Sequence, residues 1–461
     1  MSQRDDRALL TRRALLQGSA AGALLLTAGQ SSSAERSATP TGSQAWNVEA
    51  IAYHDLEGRP GFKLTILERN GRWYLYTGCF WHRGWNILDV TDPTRPELVN
   101  FLPGPANTFT LQVDLADDTL ITSLEKGLEN APWGLDANGP YEEGVLLWDL
   151  ADPIRPRQTA HYRTGARGTH RNAYQGGRYM HLAASAPGFN GNIYSIVDIQ
   201  DRARPREVGR WWVPGQELAA SASTPTSAHD TAEHGFCNVA GKDVSLHGPA
   251  VIEGNRAWLP YGAAGLIVLD ISDVTRPRQI ARIPFSPPFH SMFGVHTVLP
   301  VPARGVAYVN SEDTSYGQGA AHFAGIVDIR NPVQPTLISL LPAPLPPPGA
   351  SYRSFSARPG WSGPHNTNQL QHNPAVQKQS DLFYLTHFNA GLRIYDVSHA
   401  RLPREVGWFM PPDPVKRLGP MPQGPLVTQT EDVLVDRRGN IYITDKNQGL
   451  WVLRYTGPRP G

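Results

Sequence analysis

The fold is constrained first by a phrase that the chain spells six times. An apolar run ends in Asp, polar residues follow, Pro stands seven residues after the Asp, and a second apolar run begins. The copies are DVTDPTRPELV from Asp89, DLADPIRPRQT from Asp149, DIQDRARPREV from Asp198, DISDVTRPRQI from Asp270, DIRNPVQPTLI from Asp328 and DVSHARLPREV from Asp396. The steps between them are 60, 49, 72, 58 and 68 residues. Asp at a turn start accepts from nearby backbone amides, and Pro presets φ at an edge strand, where its missing N–H is harmless. A recurring unit of this length, made of strands and turns, predicts a radial array of small sheets around a channel.

The unit around Asp270 unrolls into HGPAVIEG, NRAWLPYGAAG, LIVLDISDVTRP and RQIARIPF. Its strands are expected at the start of that stretch, at Ala257 to Pro260, at Leu266 to Ile271 and at Arg278 to Pro284, the last outermost. Equivalent units begin near Phe62, Phe109, Thr169, His247, Val295 and Pro364. A seventh, from about Gln429, has three strands before the chain ends. The segment WNVEAIAYHDL, Trp46 to Leu56, has outer-strand character. The prediction is an all-β, seven-bladed β-propeller closed by an N-terminal outer strand, with six or eight blades fitting the spacing less well.

The chain has 461 residues, 40% of them apolar, and 42 basic against 41 acidic residues. This balance points to no nucleic-acid or anionic-membrane partner. Arg12-Arg13 precede the apolar run GSAAGALLLTAG, and small residues end at Ala34. Residues 1–34 are therefore read as a twin-arginine signal, 35–45 as a linker and 46–461 as the propeller. The run is too short to span a bilayer, which takes about 20 residues. The expectation is a periplasmic or secreted protein with no membrane anchor after signal removal, whose partner during export is the twin-arginine translocase. Two cysteines, Cys79 and Cys237, exclude a Cys-based zinc framework. They leave open a disulfide or two separate thiols.

The segments LIVLDIS, NIYSIVDIQ and LRIYDVS resemble LVIVD repeats, found in exported bacterial and archaeal β-propellers. The resemblance covers about Trp46 to Tyr455 and implies the architecture without implying a reaction.

Aligning the starts of the inner strands places His170, His247, His296 and His365 at one position in four consecutive blades. The matching position offers Lys63, Gln112, and Glu431 or Asp432 in the other three. Imidazoles converging on an axis suit a late first-row divalent ion, with Fe(II) favoured and Cu or Zn as alternatives. The arrangement is similar in geometry to the four-histidine iron site of carotenoid-cleaving oxygenases, without sequence similarity to them. Loops joining second and third strands should open on the same face. They carry His82, Glu125, Lys126, Tyr261, Glu312, Asp313, His387, Asp445 and Lys446.

A long insert with His229, Asp230, Glu233 and His234 can fold over the mouth. Glu431, Glu233 and His387 are the candidate catalytic groups, the carboxylates as proton shuttles or orienters of a ligand imidazole. Aromatics crowd the same loops and suit an apolar or aromatic substrate. The leading expectation is an exported metal-dependent oxidoreductase of the oxygenase kind acting on a small molecule. A metal-dependent hydrolase or lyase and a non-catalytic binding propeller are the alternatives.

Overall fold

The computed structural model describes residues 39–460 except 128–134, 137, 219–243, 286–292 and 315–321. The repeated phrase explains the strand boundaries. Third strands at Gly84–Asp89, Gly144–Asp149, Asn192–Asp198, Leu266–Asp270, Ala324–Asp328 and Leu392–Asp396 each end on the Asp of the phrase. The next strand begins on the residue after its Pro, at Glu97, Arg157, Arg206, Arg278, Thr336 or Arg404.

Between them, one carboxylate oxygen of the Asp accepts from the backbone N–H two residues on, at 2.9–3.0 Å in all six copies. In four copies the Arg after the Pro reaches back to the other oxygen: Arg157 to Asp149, Arg206 to Asp198, Arg278 to Asp270 and Arg404 to Asp396. Asp89 and Asp328 lack that Arg and pair with Arg72 and Arg330 instead. The motif is therefore a self-capped turn that satisfies the backbone before the edge strand starts.

Seven antiparallel sheets result, one per blade. The fourth has strands Val251–Glu253, Arg256–Pro260, Leu266–Asp270 and Arg278–Ile283, within a residue or two of expectation. The seventh holds Thr430–Val435, Asn440–Asp445 and Leu450–Tyr455, and Val48–His54 pairs antiparallel with the last of these. Gln44–Trp46 extends the sixth blade by pairing with Arg404–Met410, so the N-terminal stretch stitches two neighbouring blades. A β-bulge interrupts the pairing of third and fourth strands in blades one to six, adding twist at the same place each time.

Apolar faces of adjacent sheets bury one another. Ile196, Leu259, Ile267 and Leu269 join blades three and four, and Tyr76, Ile87, Leu120 and Trp148 join blades one and two.

Strand order puts the turns after second and fourth strands at one end of the axis, and the hairpins and Asp…Pro turns at the other. At that second end, blade six carries a long hairpin between 367 and 382. It reaches blade one through Asn373 Nδ2 to the Ile66 carbonyl (2.7 Å) and blade two through His372 to Asp114 (3.3 Å). It also reaches blade seven through the Gln377 N–H to the Val435 carbonyl (2.8 Å). The hairpin is a strap across the foot of the axis. No helix among the described residues is long and apolar enough to cross a membrane.

Candidate functional site

The inner strands bend where the site residues stand. Their pairing shifts register between Gly61 and Leu64, between Thr169 and Arg171, between Phe293 and Thr297, and between Thr430 and Val433. Those breaks contain Lys63, His170, His296, and Glu431 with Asp432. A bulge re-aims the side chains beside it, and here it turns them to the axis.

The four aligned histidines form a continuous arc. Ring centroids of His170 and His247 are 4.5 Å apart, of His247 and His296 5.0 Å, and of His296 and His365 4.6 Å. Glu312, the last residue of the second strand of blade five, sits inside the arc. Its carboxylate lies 3.1 Å from His247 Nε2, 3.4 Å from His296 Nε2 and 3.6 Å from His365 Nε2. His247, His296 and Glu312 offer donor atoms all within 4.8 Å of one another.

Partners on the far side of the rings fix three tautomers. His170 Nδ1 is 2.9 Å from the Glu125 carboxylate, and His365 Nδ1 is 2.7 Å from the Glu431 carbonyl. Both partners only accept, so each Nδ1 carries the proton. His296 Nδ1 meets Thr297 Oγ1 at 2.7 Å, and that hydroxyl spends its own hydrogen on the His365 carbonyl. His296 therefore also donates from Nδ1. In the neutral rings the Nε2 lone pairs of His296 and His365 then face Glu312. Burial pulls His247, His296 and His365 well below the usual imidazole range, and neighbouring cationic groups add to the effect.

Two atoms in this group are left bare. His170 Nε2 and Glu312 Oε2 are buried without a hydrogen-bond partner. Lone pairs pointed at a carboxylate within 4 Å are unfavourable unless a positive charge lies between them. Arg171, 2% exposed, supplies part of that charge. Its Nη2 donates to His296 Nε2 at 2.9 Å, and its guanidinium lies 5.3 Å from the centre of the Phe62 ring across the axis.

A second layer flanks the arc. Lys63 Nζ is 3.0 Å from Asp432, which also accepts from the Leu64 N–H. Lys446 touches Glu431 and lies 4.1 Å from the centre of the Trp361 ring and 4.7 Å from those of Phe80 and Phe388. Phe388 in turn stacks on His365 at 4.7 Å.

Of the candidate catalytic groups, Glu431 stands beside the arc, its carboxylate 3.4 Å from His365 Nδ1. His387 faces Tyr395 at 3.4 Å instead. Glu233, with His229, Asp230, His234 and Cys237, lies outside the described residues, as do Arg12 and Arg13. Gln112 is buried in blade two, Asp445 caps the amide of Gln429, and Glu125 holds His170. Cys79 is a free thiol that burial pushes up to about 12.

Sequence reasoning placed Glu312 among loop groups and passed over Arg171. Arg171 follows His170 directly, and on a regular strand the two would face opposite ways. The bulge removes that alternation, and nothing in the sequence marks it.

The LVIVD repeat model matches residues 251–282, the heart of blade four. The Pseudomonas aeruginosa periplasmic gluconolactonase is similar in fold, with a TM-score of 0.52 at 12% identity over 83% of this chain and 99% of that one. The β-propeller domain of Cps50 (Swd1) from Myceliophteria thermophila aligns with a TM-score of 0.48 at 14% identity over 86% and 96%. Streptogramin B lyase aligns with a TM-score of 0.47 at 9% identity over 89% of this chain and 97% of that one. No curated protein matches the sequence. The seven sheets make the chain a seven-bladed β-propeller, and its fourth blade matches the LVIVD repeat.

Proposed function

We propose that this propeller is a metal-dependent enzyme centred on the histidine arc and Glu312, an oxidoreductase of the oxygenase kind acting on an apolar or aromatic small molecule. One observation carries the reading: His170 Nε2 and Glu312 Oε2 are buried bare acceptors in a cluster where the Nδ1 atoms of His170, His296 and His365 are each held by an oxygen acceptor. Metal-binding histidines have this form, with one nitrogen held by a carboxylate or carbonyl and the other free. A ferrous ion would bring O₂ activation to such a mixed nitrogen and carboxylate set.

His247, His296 and Glu312 are the residues best placed to hold it, with His170 and His365 on either side. Arg171 has to leave His296 Nε2 for that ring to ligate. Glu125 and the Glu431 carbonyl orient the outer rings. Phe62 and Phe388 pack against His365 and exclude water there. The Glu431 carboxylate is positioned to exchange a proton with His365 Nδ1. Export by the twin-arginine route to the periplasm or beyond belongs to the same reading and rests on Arg12-Arg13.

Glu312 favours a second reading. Two imidazoles and a glutamate also suit zinc, with copper less suited to the carboxylate, and zinc would support hydrolysis or elimination. Oxygen uptake by the chain loaded with Fe(II) under anaerobic conditions separates the two. Uptake stimulated by an aromatic alcohol, and absent in Glu312→Ala, is expected. Iron binding without uptake, together with ester hydrolysis by the zinc-loaded chain, would select the zinc reading.

A further inference from the structure

The outer strands of blades one to five each leave one edge of their sheet unpaired. Charged side chains are a usual guard against such edges pairing between molecules. The outer strand opens with Glu97 in blade one and with Arg157, Arg206 and Arg278 in blades two to four. Thr336–Leu340 of blade five, TLISL, carries no Asp, Glu, Lys or Arg. The whole stretch 331–352 is free of them.

The Leu341 N–H donates to the Ala324 carbonyl at 2.8 Å, inside the sheet. By the alternation of an antiparallel ladder, the N–H and C=O of Leu340 then point outward. Pro335 and Pro342 bracket the strand and offer no N–H, so an added ladder spans the residues between them. Ser339 Oγ donates to the Ala400 carbonyl at 2.6 Å and holds the strand against blade six. Apolar side chains stand bare at both ends. Val333, in the turn before the strand, is 56% exposed, Leu340 46%, and Leu345, in the segment after it, 75%.

We propose that the edge of blade five is a homodimer interface, where a second copy of this chain adds its own Thr336–Leu340 antiparallel across a two-fold axis. A ladder centred on Ile338 sets Thr336 of one copy against Leu340 of the other, and Leu337 against Ser339. The strand is thus its own complement, and no like charges are opposed. The same two-fold carries the Val333 turn of each copy towards the Leu345 segment of the other, so the exposed apolar side chains cover one another. A strongly charged partner would find no counter-charge anywhere in 331–352. The ladder is short, so the dimer is small and dissociates on dilution. This interface does not depend on the metal reading and does not use the arc.

Sedimentation velocity of the full chain over a dilution series tests the proposal. The parent is expected to sediment at twice the chain mass at the highest concentrations and to approach the monomer on dilution. Leu340→Lys gives blade five the guard that the other edges carry and should stay monomeric throughout. Leu345→Asp, outside the strand, should also shift the series towards monomer, and covers the case in which Leu340→Lys disturbs the sheet. Gln279→Lys, at an exposed position on the outer strand of blade four, should dimerise as the parent does. A parent that is monomeric at every concentration, or that grows beyond the dimer, would overturn the proposal. So would a dimer that survives both Leu340→Lys and Leu345→Asp, or one that Gln279→Lys abolishes.

Discussion

Lys446 and Glu431 are both essentially without solvent exposure, and each is the other's ionic partner. Burial pushes the Lys446 ammonium well below its ordinary range, while the Glu312 carboxylate works the other way. Lys446→Met keeps the aromatic cage filled but strands Glu431, and is expected to cost about 3–5 kcal/mol in urea unfolding. Lys446→Met combined with Glu431→Gln should recover most of that loss. A double variant as unstable as the single one would show that the pair is not coupled.

At this scale the four histidines were legible because each stands where the first strand of its own repeat begins. Glu312 was not. It ends a second strand, a place where the repeats share no residue type, and only the folded arc shows it facing three rings.

The strap between 367 and 382 holds a contact that depends on pH. Burial pulls the His372 pKa down, but the Asp114 carboxylate at 3.3 Å and the Leu115 carbonyl at 3.3 Å outweigh it, and the net shift is upward. A pKa raised in the folded state adds stability that is complete below the unfolded value, about 6.5, and is lost as pH rises through the folded value. His372→Gln should therefore cost about 1.5 kcal/mol at pH near 5.5 and less near pH 8.5, read by urea unfolding at both. An equal loss at both would show that the contact works without the charge.

The Asp…Pro turns were readable because their Asp and Arg act within one short stretch, as Asp270 does with Ser272 and Arg278. The strap was not readable. Its sequence, NTNQLQHNPAVQKQSD, alternates in neither strand nor helix period, and its partners lie in three other blades.

For the whole molecule, the incomplete seventh repeat was the clue to how the sheets relate, since three strands leave an edge to cover. Val48–His54 covers it, and Gln44–Trp46, which the linker and strand boundaries had split, adds to blade six. A chain beginning at Glu57 would expose the Leu450–Tyr455 edge and is expected to self-associate, raising light scattering. A monodisperse monomer would show that the edge needs no cover. Blade number was thus legible from spacing, whereas the bulges that aim the inner strands at the axis required the structure.

Those bulges gather ligand atoms from several blades into one place, and the direct test is whether a cation belongs there. Metal content should be measured by plasma mass spectrometry on chain purified without a His tag or chelator, with His247→Ala and Glu312→Ala alongside. About one equivalent of iron, or of zinc or copper, in the parent and none in either variant is expected for a single site of this donor set. A correctly folded parent that holds no metal, even after anaerobic reconstitution with Fe(II) and Zn(II), would mean that Arg171 alone balances Glu312 and that the arc is structural.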